Sequence, residues 1–190
     1  MKELSLHILD VAENAISAGA HLVRIEVIEK RRANRLYLRI ADNGCGIAPE
    51  QIDRVADPFY TSRTTRRVGL GLSLLETAAC QCDGYMRIRS NTGEGTEVFA
   101  EFVHDHVDRA PLGDMAATMA TLITGNPSVD FEYRHELDED DLEIHTRHIR
   151  EAFDGLSVID TRVFRHVMKT LRSGEERLMQ GLKNNGQDEH

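Results

Sequence analysis

Apolar and polar positions alternate along this chain with two distinct periods. Leu6, Leu9, Ala12 and Ile16 recur at the spacing of one helix face, so residues 3–18 read as a helix that Gly19 stops. Residues 22–28 switch to a period of two, with Val23, Ile25 and Val27 on one side and Arg24 and Glu26 on the other. That is the mark of a half-buried strand. A basic turn, Arg31 to Arg35, leads into a second strand with Leu36, Leu38 and Ile40 inward. Pro49 opens a short helix to about Val55. Residues 57–68 show no period and read as a loop. Residues 70–82 are helical and end at Asp83-Gly84, and strands at 85–90 and 96–103 flank Asn91 to Gly95. Four strands with helices on one face predict an α/β fold, a two-layer sandwich.

The pattern restarts near His104. Pro111 to Thr124 reads as a helix that stops at Gly125-Asn126-Pro127. A strand is expected over 129–137, with helices over 146–153 and 160–180, the last carrying Val163, Val167 and Leu171 on one face. The chain therefore divides into a first domain, 1–103, a small α/β appendage, 104–182, and a polar, frayed tail, 183–190.

Charge sharpens this division. The net charge is −9. Residues 1–103 carry 13 basic and 14 acidic side chains, whereas 104–190 carry 10 and 18. An acidic second half repels phosphates, so nucleic acid is not an expected partner, while a basic protein surface is compatible. No apolar run reaches the ~20 residues that span a bilayer, and the start lacks the apolar core of a signal peptide. A cytoplasmic protein without membrane attachment is expected. Cys45, Cys80 and Cys82 lack metal-ligand spacing and read as small helix or loop residues rather than a redox site.

Four clusters could carry chemistry. Asp10 and Asn14 are four apart on the first helix, with His7 three before Asp10. A carboxylate and an amide oxygen there suit a hard cation or a held water, although a plain polar face has the same pattern. Asp42-Asn43-Gly44-Cys45-Gly46-Ile47 follows an apolar strand, so its glycines could admit a flat ligand and Asp42 could accept from an exocyclic amine. Gly69-Leu70-Gly71-Leu72 leads into a helix whose free amides could cradle phosphates, and Arg63, Arg66 and Arg67 lie just upstream. Gly95-Thr96 sits in a hairpin that needs no function. His106 to Leu112 faintly echoes a phosphoacceptor sequence, His104 and His106 could pair on a metal, and His135-Glu136-Leu137-Asp138 is as weak a signal.

In this order and spacing, the four clusters resemble the N, G1, G2 and G3 boxes of the GHKL superfamily, the histidine kinase, gyrase and mismatch-repair type of ATPase. The match covers about 100 of the 190 residues. Asp10 to Ala20 looks like the mismatch-repair branch. Asp57 to Arg63, Val68 to Leu74 and Gly95 to Phe99 look like the ATP lid and last box of sensor kinases.

The resemblance implies the Bergerat-type fold, with ATP and Mg2+ as cofactors. By the same likeness, Asn14 would hold the metal through the phosphates and Asp42 would read adenine. Gly44 and Gly46 would line the base pocket. Gly69, Gly71 and Leu72 would wrap the phosphates with Arg63 as a lid contact, and Thr96 would sit near the base. Hydrolysing relatives place Glu where this chain has Asp10, one methylene shorter, so Asp10 is a candidate base of reduced reach.

The sequence offers no dimerising hairpin with an acceptor His ahead of the first box. The expectation is a regulatory, kinase-type phosphotransfer component that acts with a protein partner. The alternatives are a nucleotide-switched binding module, such as an anti-sigma-factor-like protein or an accessory of an enzyme cluster, and a slow ATPase. A homodimer is compatible with the tail.

Overall fold

In the computed structural model, residues 2–55 and 70–185 are described. The chain runs α1 (Leu4–Ser17), β1 (Leu22–Lys30), β2 (Arg35–Asp42), α2 (Pro49–Val55), α3 (Leu70–Gln81), β3 (Tyr85–Asn91) and β4 (Gly95–Val103). It continues with α4 (Met115–Gly125), β5 (Asp130–Leu137), β6 (Asp140–His145), α5 (Thr146–Ala152) and α6 (Thr161–Asn185). The six strands form one sheet in the order β3-β4-β2-β1-β5-β6. β5 runs parallel to β1, and every other neighbour is antiparallel.

Strand alternation builds the layers. Val23, Ile25 and Val27 of β1, Leu36, Leu38 and Ile40 of β2, and Val98, Ala100 and Phe102 of β4 are all buried. They pack with Leu4, Ile8, Val11 and Ala12 of α1 and Leu75 and Ala79 of α3 into one core. The other face carries charge ladders, among them Arg24 with Glu132, and Arg39 with Glu26 and Glu97.

The sheet does not end at residue 104. The expected four strands become six, because β5 pairs with β1 from Leu22↔Asp130 to Glu29↔Leu137. Alternation identifies a strand but not its neighbour, so the open edge of β1 could not be assigned from sequence. β6 was not expected at all. Only Leu142 and Ile144 face inward along it, among acidic residues. α4 begins at Met115 rather than Pro111, because Asp114 caps it by accepting the Ala117 N–H at 2.8 Å.

Two features fasten the later elements to the earlier ones. Glu3 provides no side-chain cap for α1. Instead the Leu4 and Ser5 amides donate to the Pro111 and Leu112 carbonyls at 2.9 and 2.8 Å. Deeper inside, His135 of β5 lies between Glu29 of β1 (3.1 Å) and Glu175 of α6 (2.9 Å). The Tyr133 hydroxyl donates to Glu175 at 2.6 Å, and His104 meets Glu29 at 2.7 Å. Burial would lower the His135 pKa, but hydrogen bonds to the two carboxylates outweigh it and hold it at about 9. The cation and its flanking anions join three elements that are far apart in the chain.

Candidate nucleotide site

α1 organises the site. Asp10, Asn14 and Ala18 follow one another at four-residue steps, so they line one side of the helix over about 12 Å. At the first position, α3 comes close: a Cβ added to Gly71 would stand 3.1 Å from the Asp10 Cβ. The first turn of α3 therefore abuts the Asp10 side chain. Burial raises the pKa of Asp10, and the neighbouring Glu13 carboxylate raises it further.

At the third position, the Ala18 carbonyl accepts the Cys45 N–H at 2.9 Å, which anchors the 42–47 loop. Asp42 ends β2, and its carboxylate accepts the Gly44 N–H at 2.7 Å and the Thr96 N–H. Burial raises its pKa, while the two amides pull the other way. Asn14 is half-buried between the two anchor points.

The loop is locked to the β3–β4 hairpin. Gly93 N–H donates to the Cys45 carbonyl, and Ile47 N–H donates to the Ser90 hydroxyl, both at 2.8 Å. Ser90 in turn donates to the Gly95 carbonyl at 2.8 Å and meets the Thr96 hydroxyl at 2.9 Å. Gly46 and Gly95 have φ of 68° and 104°. A Cβ at either would collide with backbone, the Asn91 carbonyl in one case and the Asp42 carbonyl in the other.

The expected site residues thus fall into two joined groups. Asp42, Gly44, Gly46 and Thr96 meet at one end of the α1 row, and Asp10 and Gly71 at the other. Leu72 stands on the first turn of α3, packed against the core. Arg63 and Gly69 lie outside the described residues. His7 departs from the expected shared face. It is buried, held neutral by that burial with a pKa of about 4, and lines a cavity of about 140 Å³ with Leu74, Thr77 and Phe102. His104 and His106 do not converge: the first meets Glu29, the second Asp83.

Two positioning residues were not read from sequence. Ser90 looks like an ordinary polar strand residue. Asn43 is the other: its side-chain oxygen accepts the His21 and Leu22 amides, both at 3.0 Å, and fixes the start of β1.

A carboxylate tied to two amides can accept from the amine of a flat base. About 12 Å away along α1 lies the start of a 12-residue helix, the kind of helix end whose backbone amides suit phosphate oxygens. Among the described residues no three His, Cys, Asp or Glu side chains converge on a metal position. The amide oxygen of Asn14 suits a cation whose remaining ligands are phosphates and water.

Comparison with known proteins bears on the family and the fold. Residues 2–106 match the family described as histidine kinase-, DNA gyrase B- and HSP90-like ATPases. A non-motile and phage-resistance protein of Caulobacter vibrioides is 34% identical over 119 residues, covering 58% of this chain and 14% of that protein. The sensor protein kinase FleS of Pseudomonas aeruginosa is 38% identical over 105 residues, 55% of this chain and 25% of its own length. This chain therefore matches a quarter or less of these two relatives. In fold, it is similar to the MutL ATPase domain of Aquifex aeolicus complexed with ADP, with a TM-score of 0.52, 18% identity, and coverage of 81% of this chain and 70% of that one. No helix among the described residues is long and apolar enough to cross a membrane.

Proposed function

Because the chain belongs to the histidine kinase-, DNA gyrase B- and HSP90-like ATPase family, we propose that it binds Mg-ATP and serves as the nucleotide-binding half of a phosphotransfer pair, in the cytoplasm. The carrying observation is the α1 row. One helix face joins the Asp42 loop at Ala18 to the start of α3 at Asp10, with Asn14 between. Asp42 accepts from the adenine amine, and Gly44, Gly46 and Thr96 shape the base pocket. Gly69, Gly71 and Leu72 approach the phosphates through their backbone, with Arg63 as a lid contact. Asn14 holds Mg2+ bridging the phosphates. Residues 104–182 form an accessory or partner-binding region, and the γ-phosphate passes to a side chain of a protein partner.

Calorimetric titration tests the site. Asn14→Ala should abolish Mg-ATP binding, and an unchanged affinity would remove the assignment. Phosphotransfer is tested with γ-labelled ATP and candidate partner proteins. Nucleotide binding without any labelled partner would leave a nucleotide-switched binding module. Asp10 favours weak hydrolysis, because its carboxyl is one methylene short of Glu and its pKa is raised by burial and by Glu13. Asp10→Glu should hydrolyse ATP faster than the wild type by about tenfold. A flat rate would count against Asp10 as the base.

A further inference from the structure

Three residues before Asp10, α1 buries His7 to 2% exposure. The Nδ1 of that ring has no hydrogen-bond partner among the described residues. Burial keeps the imidazole neutral, so one ring nitrogen donates and the other accepts. A buried ring that does neither weakens the fold, and interiors rarely keep such a group unless something else completes it.

His7 borders the cavity of about 140 Å³ between α1 and α3. The two helices run antiparallel there. Gly71 abuts Asp10, and one turn back along α1 and one turn on along α3, His7 and Leu74 both line the cavity. Leu4, Cys82 and Phe102, all buried, form the floor with His7. Leu74, Gln81 and Asp108 are exposed and stand at the mouth. Water settles where it finds two to four polar partners. Besides His7 the floor offers it only carbon and a thiol, and the Thr77 hydroxyl on the wall already donates to the Ser73 carbonyl at 2.8 Å.

The mouth is anionic. The Asp108 side chain is 70% exposed, and its one ion-pair partner among the described residues, His106, stands 4.0 Å away. Burial, with the Asp108 and Asp83 carboxylates, holds the Cys82 thiol above its ordinary value. Arg109 acts the other way, but its guanidinium is turned onto the His104 and Ala110 carbonyls.

We propose that this cavity binds a small aromatic molecule with a hydroxyl at one end and an amine at the other. The ring lies among Leu4, Leu74 and Phe102, the hydroxyl meets His7, and the amine reaches Asp108. A cavity of this size takes one six-membered ring, since about 150 Å³ admits benzene. A hydroxyl both donates and accepts, so it suits either tautomer of the neutral imidazole. An anion gains nothing from that ring and is repelled by Asp108. The site lies a full turn of both helices from the Asp10–Gly71 contact, and it stands whether or not the nucleotide reading does.

Calorimetric titration of the full chain with tyramine, phenol, toluene and 4-hydroxyphenylacetate tests this. Phenol should bind with a Kd of about 1 mM. Toluene, without the hydroxyl, should be weaker by about fivefold or more. Tyramine should be tighter than phenol by about threefold, and 4-hydroxyphenylacetate weaker than phenol. His7→Leu keeps a similar volume and should erase the preference for phenol over toluene. Asp108→Asn, on the exposed rim, should erase the preference for tyramine over phenol and leave phenol unchanged. The proposal is overturned if no probe binds the wild type at ~5 mM. Equal affinity of the wild type for phenol and toluene overturns it too, as does a phenol preference that survives in folded His7→Leu. If His7→Leu does not fold, the wild-type series and Asp108→Asn decide: a tyramine preference retained in Asp108→Asn counts against the site.

Discussion

Asp42 and Ser90 act on the same loop from opposite sides, and their substitutions should be distinguishable. Asp42→Asn keeps an oxygen for the Gly44 and Thr96 amides but turns a donor toward the amine of the base. ATP affinity should fall at least about tenfold with the fold intact, read by calorimetry and circular dichroism. Ser90→Ala leaves the Ile47 amide without its acceptor. It should weaken ATP by roughly 1 kcal/mol, and an unchanged affinity would show that the loop holds itself. Asp42 was legible because an Asp at a strand end before two spaced glycines is an unusual pattern. Ser90 was not, because a serine near the end of a strand is common, and its importance comes from contacts with residues 43 positions earlier. His7 was misplaced for a related reason. Helical spacing puts it three residues from Asp10, but burial between helices decides which way the side chain turns.

Among elements, the Glu29–His135–Glu175 contact gives α6 a pH signature. His135 rises from an ordinary 6.5 to about 9 on folding. Its contribution to stability is therefore full below pH 6.5 and is lost as pH climbs through 9, by up to roughly 3 kcal/mol. Glu29 shifts downward instead, because its two histidines outweigh its burial. Its share is present above its ordinary value and fades as pH falls. Urea midpoints measured from pH 6 to pH 10 should decline toward the alkaline end. In a Glu175→Ala variant that alkaline decline should shrink, with a cost of about 3 kcal/mol at neutral pH. A parallel profile in wild type and variant would detach the titration from this contact. The elements themselves were mostly legible, since the 9-residue β1 alternates along its whole length and β4 does so from Val98 onward. β6 escaped because two inward residues are too few to declare a period. α6, expected to end near 180, runs on to Asn185.

For the whole molecule, the consequence of the β1–β5 pairing is that the first half of the sheet has no finished edge of its own. A fragment of residues 1–106 would expose the hydrogen-bonding edge of β1 along eight residues and unpin α1 from the Pro111 and Leu112 carbonyls. It should aggregate or lose its cooperative thermal transition, and a soluble fragment with the transition of the full chain would contradict this. The nucleotide residues, although all numbered below 100, depend on the second half of the chain for their support. That dependence was invisible in the sequence, where the four boxes end before the appendage begins.

The parallel pairing also sets a timetable. Leu22 waits for Asp130, and Glu29 for Leu137. At typical synthesis rates of about 5–20 residues per second, the edge of β1 stays open for several seconds after it leaves the ribosome. During that interval the nascent chain presents a ready strand edge to any neighbour. Its yield in the cell should therefore respond to the speed of translation between residues 30 and 137 more than to the stability of the finished protein.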